Sequence, residues 1–186
     1  MDKLPIKIID YTLKGSGQTI GKPCILITLE VQPFKSWKDF KDVITPENLR
    51  FLKKGAIIRF GGSEPLLFQK EIGAFLYYFK KENGFIPFIE MTTNGNVVPD
   101  KYLLTNVSYW EVTPNTGKAS IMKELDGLNT RFIFDVGSEP EEKIWFIFDV
   151  YSPAISVEKI AVKGGSDPKE MDWVCKKHSI IYQFEI

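Results

Sequence analysis

The chain has 186 residues, of which 44% are hydrophobic and 13% aromatic, so it can bury a substantial core and is not disordered. Lysine and arginine total 24, as do aspartate and glutamate, and this balance excludes a global positive field for nucleic acid or anionic lipid. Cys24 and Cys175 are too few for a disulfide framework or an all-thiolate metal site. No apolar leader or membrane-length apolar stretch is present, so we expect one soluble, cytoplasmic domain over residues 1–186.

Strand and helix patterns alternate along the sequence. Short apolar runs indicate strands, whereas apolar residues at helical spacing and capping residues indicate helices. In chain order we predict a strand at 24–29, a helix at 45–54, a strand at 56–60, a helix at 67–81, strands at 88–91, 107–112 and 131–136, a helix at 138–151, a strand at 159–162, a helix at 167–177 and a strand at 180–184. Residues 144–148 also suit a strand, but Ser138, Pro140 and the two glutamates that follow favour a helix.

This alternation predicts an α/β fold with a mainly parallel sheet covered by helices. In such sheets, ligands bind at the carboxyl ends of the strands. Three turn-forming segments follow predicted strands, at residues 61–64, 93–95 and 113–115. We therefore expect any ligand site to be built from these segments.

Two of these segments carry a resemblance to a known family. Residues 60–67, FGGSEPLL, resemble the F-S-G-G-E-P-L-L segment of radical SAM enzymes, and 91–95, MTTNG, resembles the T-N-G strand end of that superfamily. Residues 9–23 and 159–178 resemble the first and last segments of the 7-carboxy-7-deazaguanine synthases. The resemblance implies a partial parallel (β/α) barrel of radical SAM type, trimmed in its linkers and at its C-terminus.

The resemblance also implies where cofactors would bind. In the family, the glycine-rich segment and its glutamate hold the methionyl amine of S-adenosylmethionine. The corresponding cofactor-binding residues here, which we interpret as vestigial, are Gly61, Gly62, Ser63, Glu64, Thr93, Asn94 and Gly95. The alternative is a plain strand-to-helix turn, with Glu64 near a helix N-terminus, followed by an ordinary Asn-Gly turn.

The family's C-x-x-x-C-x-x-C run is missing. Ser36, Trp37 and Asp39 match its surroundings, but the three cysteine positions hold residues without thiols, namely Val31, Lys35 and Lys38. Three thiolates hold the [4Fe–4S] cluster in such enzymes. We therefore expect no cluster and no other cofactor, and we expect S-adenosylmethionine to bind weakly or not at all.

Other family positions have changed as well. In the family, the corresponding residues are those that the resemblance implies for contacts with substrate, magnesium or cofactor. Here these positions hold Ser16, Thr28, Phe40, Ser63 and Thr92. Because these losses occur together, we expect no radical chemistry from this chain alone.

Some remaining side chains allow two interpretations. Lys35, Trp37 and Lys38 form either a small phosphate-binding patch or a solvated loop, and the net charge favours the loop. Cys175 and His178 either share a metal or are a buried thiol and a surface imidazole, and we favour the second reading.

The strand ends also contain carboxylates. Glu111 and Asp135 end neighbouring predicted strands and form a candidate acid–base pair, although the sequence shows no environment that would perturb their pKa values.

The sequence keeps the features of the fold but lacks the residues that the family's reaction needs. We therefore predict a catalytically inactive pseudoenzyme that acts as a structural or regulatory subunit of a protein complex, either a hetero-oligomer or a homodimer. Aromatic runs at 75–79 and 145–148 exceed what one helix face buries. Trp145, Phe148 and Tyr151 share one helical stripe that could meet a partner. The alternative is an iron-independent enzyme or binding protein that takes a nucleoside- or pterin-like molecule at the barrel mouth.

Overall fold

The computed structural model describes residues 4–14, 19, 21–30, 36–38, 40–114, 119–136, 140–151, 153–164, 175–176 and 181–182. Its strands are β1 (Leu4–Leu13), β2 (Pro23–Leu29), β3 (Ser36–Lys38), β4 (Ile57–Gly62), β5 (Phe88–Thr93), β6 (Tyr109–Val112), β7 (Thr130–Asp135), β8 (Ile160–Lys163) and β9 (Ile181–Tyr182). Its α-helices are α1 (Phe40–Val43), α2 (Pro46–Lys53), α3 (Gln69–Asn83), α4 (Lys101–Asn106), α5 (Ala119–Asp126) and α6 (Pro140–Tyr151). Short 3₁₀ turns cover Pro65–Phe68 and Val157–Lys159.

All of these strands join one sheet, in the order β3-β1-β2-β4-β5-β6-β7-β8-β9. From β2 through β9 every neighbouring pair is parallel, whereas β1 is antiparallel to both β2 and β3. The predicted α/β class with a mostly parallel sheet is confirmed. In the described part of the chain the sheet ends at β3 and β9, and these two edges do not pair to close a ring.

The two faces of the sheet differ in character because successive strand residues point to opposite sides. One face is apolar and includes Ile58, Phe60 and Met91, all fully buried in the core cluster. Helix α3 packs on this face, and its Phe75 ring contacts Phe60 edge to face at a centroid distance of 5.7 Å. The opposite face carries Arg59 and, opposite it on β5, Glu90. We call this second side the polar face.

Local capping places the helices as predicted. Thr45 accepts a hydrogen bond from the Asn48 amide at 3.3 Å and begins α2, with Pro46 in the first turn. Gly84 adopts a φ of 77° and ends α3 through a bond from its amide to the Lys80 carbonyl. Residues 140–151 form a helix, so the helical reading of that ambiguous segment is confirmed.

Several elements were not predicted, and each is short or depends on a distant partner. Strands β1 and β3 form by antiparallel pairing at the sheet edge, and α1 and α4 have only four and six residues. Such lengths are too short to show a helical period. Of the predicted elements at 167–177 and 180–184, only Cys175, Lys176, Ile181 and Tyr182 lie within the described residues. None of the described helices has the length and apolar character needed to cross a membrane.

The end of β4 is longer than predicted and passes through both glycines. Gly62 pairs with Leu29 of β2 and has a φ of 125°, and a Cβ there would collide with the Leu29 backbone carbonyl. Gly61 has no such restriction, since a Cβ would meet only Leu26 and Thr92 at 3.5 and 3.7 Å. Gly62 is therefore required by the neighbouring strand rather than by any ligand.

This contrast makes a matched pair of variants informative. Gly62→Ala should destabilise the fold by about 2 kcal/mol or more, from backbone strain and a backbone collision. Thermal unfolding should then show a melting temperature lowered by about 4–8 °C or more. Gly61→Ala is the control and should stay close to the unsubstituted protein. Equal melting temperatures for the two variants would contradict this account of Gly62.

Candidate functional site

A cleft lies at the carboxyl ends of the parallel strands, where the sequence predicted a ligand site. Its volume is about 810 Å³, within the range of small-molecule sites. It is lined by residues 62–63 at the end of β4, 92–94 at the end of β5, 113–114 after β6, 134–135 of β7 and four side chains of α6. We call it the strand-end cleft.

Glu64 organises two of the loops at this cleft. It is buried, and its Oε2 accepts hydrogen bonds from the Thr93 hydroxyl and the Asn94 amide, both at 2.9 Å. Its Oε1 accepts a bond from the Leu66 amide at 3.1 Å and so begins the 3₁₀ turn. Both carboxylate oxygens are thus used within the chain to join the end of β4 to the end of β5.

The vestigial cofactor residues predicted from the sequence therefore come together, but in two groups. Gly62, Ser63, Thr93 and Asn94 line the strand-end cleft, and the remaining three do not. Glu64 and Gly95 support the loops from beneath, and a Cβ on Gly95 would collide with the Met122 side chain. Gly61 points to the polar face, toward Leu26 and Thr92.

Helix α6 forms the apolar wall of the cleft. Ile144 and Ile147 are buried, and Ile147 reaches the cleft together with Lys143, Phe146 and Tyr151. Phe146 is 61% exposed, in line with the expectation that the aromatic run at 145–148 exceeds what one helix face buries, but its place beside the cleft was not predicted.

The predicted aromatic stripe is divided by the fold. Tyr151 packs on Phe134, with ring centroids 5.0 Å apart, and Trp145 is 53% exposed. The side chain of Phe148 lies outside the described residues. One member of the stripe therefore belongs to the core and cleft, while another faces solvent.

The polar face holds a second group of functional residues, which we call the buried charge cluster: Lys14, Arg59, Glu90 and Glu111. Arg59 Nη1 pairs with Glu90 Oε1, and Arg59 Nη2 pairs with Glu111 Oε1 at 2.6 Å. Lys14 Nζ, from the end of β1, lies 2.6 Å from Glu90 Oε1 and 3.3 Å from Glu111 Oε2. The Thr19 hydroxyl donates to Glu90 Oε2 at 2.6 Å. Lys14 and Thr19, between β1 and β2, are thereby held against the middle of the sheet.

Burial and charge perturb several groups around this cluster. Burial raises the pKa of Glu90, although Arg59 and the Thr19 hydroxyl oppose the shift. Burial lowers the pKa of Arg59, but the carboxylates of Glu111 and Glu90 outweigh it, so the net direction is upward. Burial, reinforced by Glu90, raises the pKa of Cys24 to about 12. Arg59 therefore stays a cation, and Cys24 stays a thiol at neutral pH.

The proposed pairing of Glu111 with Asp135 is wrong. Glu111 stands opposite Arg131 in the strand register, four residues before Asp135, which places Asp135 about 13 Å further along the sheet. Asp135 lines the strand-end cleft and Glu111 belongs to the buried charge cluster. The carboxylate that shares cations with Glu111 is Glu90, which no sequence motif singles out.

The other predicted site residues lie at the sheet edge or outside the described residues. Lys38 ends β3, where its backbone pairs opposite Leu4. Val31, Lys35 and His178 lie outside the described residues. Cys175 is buried, and within the described ranges no group of three or more His, Cys, Asp or Glu side chains could hold a metal ion.

No protein-family model and no curated protein matches the sequence. Among solved structures, the chain is similar to QueE from Escherichia coli, with a TM-score of 0.60 and 14% sequence identity. The similarity covers 97% of this chain and 93% of that one. QueE is a radical SAM 7-carboxy-7-deazaguanine synthase, so the radical SAM-like fold expected from the sequence is confirmed. At this identity the similarity establishes the fold alone.

The buried charge cluster should respond to the loss of one charge. Glu111→Gln leaves Lys14 and Arg59 against one carboxylate and should cost about 3 kcal/mol, because an uncompensated charge remains buried. Adding Lys14→Met restores the balance and should recover part of that loss. Denaturant unfolding measures both free energies.

Glu82→Gln is the control, since Glu82 is exposed on α3, and it should change the free energy of unfolding by less than about 0.5 kcal/mol. Strictly additive losses in the double variant would show that Lys14 and Glu111 are not coupled.

Proposed function

We propose that this chain is a catalytically inactive, cluster-less relative of radical SAM enzymes that binds a nucleoside-like small molecule in the strand-end cleft. The observation that carries the proposal is the composition of this cleft. It combines backbone and hydroxyl groups at four strand ends with the aromatic wall of α6.

The lining suits a ligand with a flat ring and a polar sugar. Phe146 and Tyr151 offer ring surfaces on which a base can stack. Such stacking is favourable and does not depend on which base is bound. Ser63, Asn94 and the Asp135 carboxylate offer polar groups to sugar hydroxyls and base edges. A few polar groups around an apolar surface are typical of small-molecule sites.

The donor set does not fit a [4Fe–4S] cluster. The resemblance aligns Val31, Lys35 and Lys38 with the three cluster thiolates, and none of them carries sulfur. Cys24 is buried in β2 with a pKa of about 12, so it is a poor source of thiolate. Radical chemistry is therefore no part of the proposal.

The polar face supports a non-catalytic role as well. Glu90 and Glu111 are the carboxylates nearest the middle of the sheet, and both are held in ion pairs with Arg59 and Lys14. These pairs give both carboxylates a structural role, since they join Lys14 and strand β4 to β5 and β6.

The proposal is tested by titrating the protein with adenosine and, separately, guanosine, while following the melting temperature and the heat of binding. One nucleoside should raise the melting temperature in a saturable manner. Phe146→Ala should weaken binding by about tenfold or more without lowering stability, because Phe146 is exposed and lines the cleft.

Phe51→Ala is the matched control, since Phe51 is exposed on α2 and lies outside the cleft. It should leave nucleoside binding unchanged. If neither adenosine nor guanosine shifts the melting temperature, the proposal is contradicted. If a protein then co-purified at fixed stoichiometry, the alternative function as a subunit would be favoured, with the exposed Trp145 as its first contact to test.

The proposed absence of an iron–sulfur cluster is tested separately. Protein prepared anaerobically with added iron and sulfide should bind no iron, because the aligned positions lack thiolates. Iron analysis and the visible absorption spectrum provide the measurement. Stoichiometric iron with broad absorption in the visible range would refute the assignment, whatever the nucleoside experiments show.

A further inference from the structure

Arg131 lies on the polar face of β7, and no acidic side chain in the described part of the chain forms an ion pair with it. The residue is half-buried, its Nη1 atom is buried, and that atom has no hydrogen-bond partner among the described residues. Glu111 stands directly opposite Arg131 in the strand register, yet its carboxylate pairs with Arg59 and Lys14 instead. A buried guanidinium N–H without an acceptor is costly, so the Nη1 position favours an acceptor such as an anion.

Tyr109 lies beside it at the start of β6. The residue is 1% exposed, and its hydroxyl has no hydrogen-bond partner within the described ranges. Burial, reinforced by Glu111, raises its pKa to about 12, so the hydroxyl keeps its proton and remains a donor. Arg131 approaches the phenolic oxygen closely enough to oppose this shift in part, but forms no hydrogen bond of good geometry with it.

Among the described residues, the charges around the ion pairs of the polar face do not balance. Lys14 and Arg59 neutralise Glu90 and Glu111, which leaves the charge of Arg131 in excess. Asp135 on the same strand cannot supply the missing charge, because it lies four residues further along, beside Lys163 in the register. Two buried donors and one unbalanced positive charge therefore meet at the amino ends of β6 and β7.

We propose that Tyr109 and Arg131 form a binding site for an oxyanion group, either a carboxylate or a phosphate. The group would accept hydrogen bonds from the Tyr109 hydroxyl and the Arg131 guanidinium and would neutralise the excess charge. The site lies at the opposite ends of the strands from the strand-end cleft, so it stands independently of nucleoside binding. The Arg131 side chain is half-buried, whereas both donor atoms are buried.

The test uses inorganic phosphate and acetate as separate probes, each titrated at constant ionic strength with chloride as the reference. At least one probe should raise the melting temperature saturably and give a measurable dissociation constant by calorimetry. A response to acetate alone identifies a carboxylate site, and a response to phosphate identifies a phosphate site. Either response supports the proposal.

Two variants locate the site. Arg131→Gln should weaken binding of the active probe by about tenfold or more, and Tyr109→Phe, which keeps the ring, by about threefold or more. Arg50→Gln, at an arginine on α2 outside this site, should leave the dissociation constant unchanged.

The result can also overturn the proposal. If phosphate and acetate change the melting temperature of the unsubstituted protein no more than chloride does, water satisfies the two donors and the proposal is wrong. A dissociation constant unaffected by both Arg131→Gln and Tyr109→Phe would place the ion elsewhere. Because Tyr109→Phe preserves the core volume, it decides the question even if Arg131→Gln does not fold.

Discussion

Arg59 reaches across two neighbouring strands to Glu90 and Glu111, and the arrangement of the polar face depends on this contact. A single cation held between two buried carboxylates leaves an excess negative charge, and Lys14 supplies the compensation from the far end of β1. The antiparallel hairpin of β1 and β2 is therefore tied to the centre of the parallel sheet by charge as well as by pairing. Buried ion pairs contribute little net stability over apolar residues, but they tolerate few alternative arrangements.

The strand-end cleft has a different basis, which is the pair of loops joined by Glu64. In the radical SAM enzymes that the sequence resembles, the corresponding residue belongs to the segment that holds a cofactor amine. Here both carboxylate oxygens of Glu64 accept hydrogen bonds from the chain itself. The loops at the ends of β4 and β5 are therefore joined by the chain's own hydrogen bonds.

Much of the fold could be predicted from the sequence, because strands, caps and turns are encoded locally. Thr45, Pro46 and Gly84 marked helix ends correctly, and the apolar runs located seven strands of the parallel sheet. The buried charge cluster could not be predicted in this way, since Lys14 and Glu111 are 97 residues apart and meet only through the strand order. Phe146 was missed for a related reason: helical spacing identifies which residues share a stripe, but not that a cavity lies beside one of them.

The two candidate sites place different demands on the same strands. The strand-end cleft is assembled from loops and a helix, so its chemistry can change without disturbing the sheet. The Tyr109–Arg131 pair lies within the sheet, next to ion pairs on which the fold depends, so an anion there would also stabilise the folded chain. With the anion bound, Lys14, Arg59 and Arg131 would face Glu90, Glu111 and the anion. The proposed anion would thus supply the negative charge that Arg131 lacks among the described residues.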